Sequence, residues 1–193
     1  MTPGLSDKAN GLLHEVRLRG FLPAENSATE GELIEAGLLT LRGSNLALTA
    51  SGRERHAIWA RLPEGSAQEA AARQVYERFV PLNTELLKIC TAWQLRDDGS
   101  VNDHADRAYD FRVLEQLDKL HERVAPLLHR LGESVPRFSG YATRLADALD
   151  RIATDRQWMA SPRCDSYHTV WMQMHEDLLE AIGADRADEP EPG

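Results

Sequence analysis

Positive charge is scarce in this sequence: 22 Lys and Arg stand against 31 Asp and Glu, a formal net charge of −9. A protein that grips DNA neutralises phosphates and usually carries a basic face. The composition therefore removes the simple argument for nucleic-acid binding, although only the local face counts. Cysteine is nearly absent. Cys90 and Cys164 are spaced neither as a zinc motif nor as a redox pair, and a chain of 193 residues needs no disulfide to hold a core. Both are expected as free thiols. Long apolar runs are missing too, none approaching the roughly 18 residues that cross a bilayer. The start, Met1-Thr2-Pro3-Gly4-Leu5-Ser6-Asp7, lacks a basic segment followed by an apolar one. The expectation is a cytoplasmic protein without a secretory signal or a membrane partner. There is no Gly-x-Ser-x-Gly elbow, no Walker loop, no Gly-x-Gly-x-x-Gly, no His-Glu-x-x-His and no internal repeat. Those gaps remove the hydrolase, nucleotide-binding and zinc-protease classes that such motifs mark.

What is present is ordinary globular material, 42% hydrophobic and 27% charged, enough for one good core or two small ones. Leu12, Leu13, Val16 and Leu18 suit an amphipathic helix between Leu5 and Gly20, stopped by Gly20 and Pro23. Thr29 with Glu32 fits a capping box for a short helix Glu30–Ala36 that ends at Gly37. Two alternating segments, Leu38–Leu41 and Leu46–Thr49, flank Arg42-Gly43-Ser44-Asn45 and predict a β-hairpin. Helix resumes at Ala50 and runs to about Arg61, and Leu62-Pro63-Glu64-Gly65-Ser66 is the best domain boundary. Beyond it the spacing predicts helices over Ala67–Trp93, Asp110–Leu131, Tyr141–Ala153 and Ser166–Ile182, with bends at Pro81 and Pro126. The expected fold class is mostly α. Residues 1–62 form a small module with a β-hairpin, 66–184 an α-helical bundle, and 185–193 a disordered acidic tail.

The run Glu35-Ala36-Gly37-Leu38-Leu39, the hairpin, and then Leu48-Thr49-Ala50-Ser51-Gly52-Arg53 resembles winged-helix bacterial regulators of the MarR-like type. The resemblance covers mainly residues 5–60. In that family Ala-Gly-Leu marks the end of the recognition helix, the hairpin is the wing, and Leu-Thr-x-x-Gly-Arg begins the next helix. Residues 66–183 are similar to the helical half of actinobacterial proteins described as regulators. The resemblance implies a degenerate winged-helix module, DNA contact through Arg42 at the wing and Arg53 and Arg55 beyond it, and a homodimer. The sequence departs from the pattern in two respects. About sixteen residues separate Phe21 from Gly37, so one helix is shortened or lost, and the candidate recognition helix carries Glu30, Glu32 and Glu35 without Lys or Arg. Over residues 1–63 the basic side chains (Lys8, Arg17, Arg19, Arg42, Arg53, Arg55, Arg61) equal the acidic ones (Asp7, Glu15, Glu25, Glu30, Glu32, Glu35, Glu54). The module is neutral, and the remainder carries the whole excess.

The helical part holds the less usual chemistry. Leu114, Leu117, His121, Val124, Leu128 and Leu131 alternate by three and four, and so do His168, Trp171, His175, Leu178 and Ile182. His121, His168 and His175 are thus expected to face one interior. Asn83 and Gln94 lie on a comparable stripe with Leu87 and Cys90. Buried polar groups need partners, at a cost of about 1–3 kcal/mol each when they have none. The pattern implies satisfied core histidines, or a pocket for an organic ligand lined by Asn83, Gln94, His104, Tyr109, Tyr167 and Trp171, with Asp103, Asp106 and Asp110 nearby. A metal is a third possibility, through Asp118-x-x-His121 and Asp165-x-x-His168. Against it, Asp165 fits a helix N-cap, Asp118 lies beside the stripe, and His168 and His175 stand about 10 Å apart along a helix. No metal ligand and no cofactor are assigned. Two functional readings stay open. One is a regulator whose winged helix is coupled to a helical sensor and dimerisation domain. The other is a small enzyme or binding protein that uses His168, His175 and His121 as acid–base groups or substrate anchors, oriented by Asp103 or Asp110, and binds no DNA.

Overall fold

The structure is a computed structural model that describes residues 4–188. It is mostly helical, with a small three-stranded antiparallel sheet, and no helix among the described residues is long and apolar enough to cross a membrane. The chain divides into two compact units. The first runs up to Pro63 and includes Leu179–Arg186, and the second is centred on Glu64–Leu178.

In the first unit α1 (Asp7–Arg19) is capped by the Ser6 hydroxyl and ends at Gly20, whose φ of 80° a side chain rarely adopts. The order continues β1 (Leu22–Pro23), α2 (Ala28–Glu35), β2 (Leu39–Arg42), β3 (Asn45–Leu48) and α3 (Ala50–Ala60). β3 is central, with β2 on one side in the register Arg42↔Asn45 and β1 on the other through Leu22↔Leu46. The hairpin loop is Gly43-Ser44, with Gly43 at φ 62°. Ala9, Leu13 and Val16 of α1 meet Leu33, Leu39, Leu46 and Leu48 in one buried cluster. The cap of α2 lies two residues before the expected Thr29. Ser27 caps it, and Glu30, not Glu32, reaches back. The Glu30 carboxylate is buried and accepts from the amides of Glu25 and Asn26. Those bonds are what make its burial tolerable. Thr49 binds the end of α2 to the start of α3: its hydroxyl donates to the Gly37 carbonyl at 2.6 Å and accepts from the Gly52 amide at 3.0 Å.

Residues 179–184 were expected to close the helical domain, yet Leu179–Arg186 groups with the first unit. The Leu62 amide donates to the Ala181 carbonyl, and Arg17 pairs with Glu180 at 2.8 Å. The acidic tail was expected to be disordered from residue 185, but Arg186–Asp188 forms a 3-10 turn, and residues 189–193 lie outside the described residues.

In the second unit α4 (Ala67–Gln94) and α5 (Arg107–Ser134) run antiparallel. Gln68 donates to the Ser134 carbonyl at one end, and Tyr109 donates to the Ala92 carbonyl at the other. Pro81 and Pro126 sit on exposed faces of unbroken helices. A 3-10 turn at Pro136–Phe138 leads to α6 (Tyr141–Ile152), the short α7 (Gln157–Ala160) and α8 (Tyr167–Ile182). Ser166, not Asp165, begins α8: its hydroxyl accepts from the Thr169 amide, while Asp165 pairs with Arg144 at 3.0 Å. Tyr167, Val170, Trp171, Met174 and Leu178 of α8 are fully buried.

Candidate functional site

Three arginines of the first unit line one shallow groove of about 320 Å³, together with Val16, Gly20, Ala47 and Leu48. Arg17 comes from the C-terminal half of α1, Arg42 from the end of β2, and Arg53 from the first turn of α3. Arg53 is anchored by donating to the Leu48 carbonyl at 3.0 Å, and Arg42 is exposed. Arg17 holds the Glu180 carboxylate. Arg55, expected beside these, is half-buried and does not line the groove. On α2, Glu32 and Glu35 face solvent while Glu30 turns inward. The groove therefore collects cations that the neutral count over residues 1–63 conceals, and guanidinium groups suit phosphate or carboxylate.

The predicted pocket residues of the second unit take several environments. Asn83 accepts from the Trp171 indole N–H at 2.9 Å. His121 Nδ1 lies 3.3 Å from the Tyr167 hydroxyl. Its imidazole is half-buried, and burial lowers its pKa against the opposing pull of Asp118, Asp150 and Glu122. His168 is also half-buried, and burial lowers its pKa too. His175 is buried with its ring 4.9 Å from that of Phe79, which also meets Trp171. Burial raises the Tyr167 phenol far above its usual pKa, and Tyr141, which donates to the buried Asp177, is raised likewise. Both are held as neutral hydroxyls. Gln94 does not join these residues. It is exposed, and the neighbouring Trp93 takes the inward place, so the stripe runs Leu82, Leu86, Ile89/Cys90, Trp93. Burial also pushes the Cys90 thiol up to about 11, which leaves it protonated and unreactive.

Asp110 orients His104 and none of the three stripe histidines. The His104 Nδ1 lies 3.0 Å from Asp110 Oδ1, and Asn102 Nδ2 donates to the same oxygen at 2.9 Å. Asn102 also accepts from the His104 amide, which holds His104 at φ 60°, a left-handed conformation uncommon outside glycine. The His104 ring rests 4.6 Å from that of Trp93. Asp103, the other suggested orienting group, pairs instead with Arg96. Tyr109 donates to the Ala92 and Leu95 carbonyls and closes the same end of α4.

Sequence reasoning passed over one constellation altogether. His14 of α1, His56 of α3 and Glu180 in the last turn of α8 offer one donor atom each, all within 4.8 Å of one another. Among the described residues this is the group able to hold a metal ion. The signal available in sequence was faint: His56 sits four residues from Gly52 and four from Ala60 on the buried stripe of α3. Compared with protein-family models, with curated proteins and with solved structures, the chain matches none.

Proposed function

We propose that the protein is a regulator-like DNA-binding protein in which the first unit acts as a degenerate winged-helix module. On this reading the second unit is a helical bundle that senses a small molecule and forms a homodimer. The observation that carries the proposal is the groove lined by Arg17, Arg42 and Arg53 beside the hairpin. Arg53, anchored on the Leu48 carbonyl, and the exposed Arg42 suit the phosphate backbone, while Arg17 is paired with Glu180. The exposed Glu32 and Glu35 argue that α2 does not read bases in the major groove. Contact is therefore backbone-dominated and strongly salt-dependent. Fluorescence anisotropy with duplexes that include the gene's own upstream region, at low salt, tests this. Binding is expected to weaken for Arg42→Ala and Arg53→Ala across all sequences, with the salt slope falling by about one per lost contact. Absence of binding at low salt sinks the proposal.

A second reading, an enzyme or binding protein centred on the helical unit, is favoured by the Asp110–His104 pair. A carboxylate that fixes the tautomer of a half-buried imidazole is a common arrangement for a general base. Under it, the protein binds no duplex DNA at low salt, and Asp110→Asn removes turnover of a substrate while native circular dichroism is kept.

A further inference from the structure

We propose that His14, His56 and Glu180 form a binding site for one divalent transition-metal ion of the zinc class. The site goes beyond the DNA-binding reading and does not depend on it. Its ligands come from three separate helices: α1, α3 and the last turn of α8. The His14 Nδ1 lies 2.9 Å from the His56 Nε2. The two rings are nearly coplanar, with 13° between their planes and centroids 5.2 Å apart, so these nitrogens face each other across one shared proton. An ion bonded at about 2.0–2.1 Å replaces that proton once both rings turn to aim their lone pairs at it. The Glu180 Oε2 is 3.6 Å from the His56 Nδ1. That is the ring nitrogen turned away from His14, so the carboxylate joins an ion on Nε2 by swinging round the ring. One donor atom of each residue lies within 4.8 Å of the others, and two imidazoles with one carboxylate form a set that zinc, cobalt and nickel accept.

The surroundings suit a fixed site. His56 is buried, 1% exposed, so bulk water does not compete for its nitrogen. The Trp59 ring packs 5.4 Å from that of His14 and 5.9 Å from that of His56, limiting how far either imidazole can turn. Arg17 holds Oε1 of Glu180 at 2.8 Å and orients the carboxylate, as outer partners of metal ligands commonly do. Three protein ligands leave a fourth position open, which is the pattern of a reactive or sensing site more than of a closed structural one.

The test uses untagged full-length protein, stripped with chelator and titrated with Co(II) while visible absorption is followed, then with Zn(II) in competition. One saturable equivalent of Co(II), displaced by Zn(II), is expected. His14→Gln and Glu180→Gln, each checked for native circular dichroism, should weaken it about tenfold or more. In the wild-type protein, Co(II) should also shift the imidazole NMR signals of His14 and His56, a readout that needs no variant. Absence of saturable binding, binding unaltered in the folded variants, or Co(II) shifts confined to other histidines each overturns the proposal.

Discussion

Arg17 and Glu180 meet at 2.8 Å within the first unit, although they lie near opposite ends of the chain. The pair joins two features: Arg17 lines the cationic groove, and the other oxygen of Glu180 faces His56. The carboxylate thus neutralises one of the three groove guanidiniums. Glu180→Gln should leave Arg17 without that countercharge and tighten duplex DNA binding by a few-fold at low salt, with the gain fading as salt rises. A divalent ion held by Glu180 competes with Arg17 for the same charge, so Zn(II) should act in the same direction on the wild-type protein and not on the variant. Linkage then requires DNA to raise the affinity for Zn(II) by the same factor. Anisotropy titrations with and without Zn(II) measure both. Weaker DNA binding by Glu180→Gln, or an equal response of the variant to Zn(II), shows that the two features are not coupled.

A second expectation concerns the joint between α2 and α3. A Cβ on Gly52 would stand 2.0 Å from the Leu38 carbonyl oxygen and 3.2 Å from Leu48 Cδ2. The carbonyl is fixed, because it accepts from both the amide and the hydroxyl of Thr49. Gly52→Ala should therefore destabilise the first unit by about 1–3 kcal/mol. Gly31 is the control. It lies inside α2, is exposed, and an added Cβ meets nothing within 4 Å, so Gly31→Ala should stabilise by about 0.5–1 kcal/mol. Urea unfolding of the two variants measures both, and equal midpoints contradict the steric account.

The same joint shows what a sequence discloses and what it hides. Leu38 to Thr49 alternates apolar and polar residues around a Gly-Ser loop, so the hairpin is legible. β1 is not, because two residues that include Pro23 carry no periodicity and pair only when β3 is present as a template. The spacing to Glu32 puts the cap of α2 at Thr29, a spacing that Ser27 and Glu30 also have. The backbone amides of Glu25 and Asn26, visible only in three dimensions, decide for Glu30. In the 28-residue α4 a one-residue error of phase was enough to turn Gln94 inward in place of Trp93. The arginine groove was half legible: Arg42 at the hairpin and Arg53 at the start of the next helix stand in recognisable places, whereas Arg17 comes from a helix whose rotation the sequence leaves open. His14, His56 and Glu180 share no local pattern, and only the packing of three helices brings them together.

The last expectation is a dependence of stability on pH in the second unit. Burial holds the imidazoles of His121 and His168 below their ordinary pKa of 6.5, while in the unfolded chain each titrates near about 6.5. Below that value the unfolded chain takes up protons that the folded one refuses, so protons favour unfolding. The stabilisation tied to the neutral rings is complete above about pH 6.5 and is lost as the pH falls towards the folded pKa values. Asp118, Asp150 and Glu122 pull His121 the other way and His129 adds to its lowering, whereas burial alone acts on His168. His168 should therefore respond the more simply of the two. Unfolding midpoints followed by tryptophan fluorescence between pH 7.5 and about 5 should fall for the wild-type protein, and His168→Gln should flatten the curve. A variant curve parallel to the wild type, or stability that rises on acidification, would show that His168 is not held neutral by the fold.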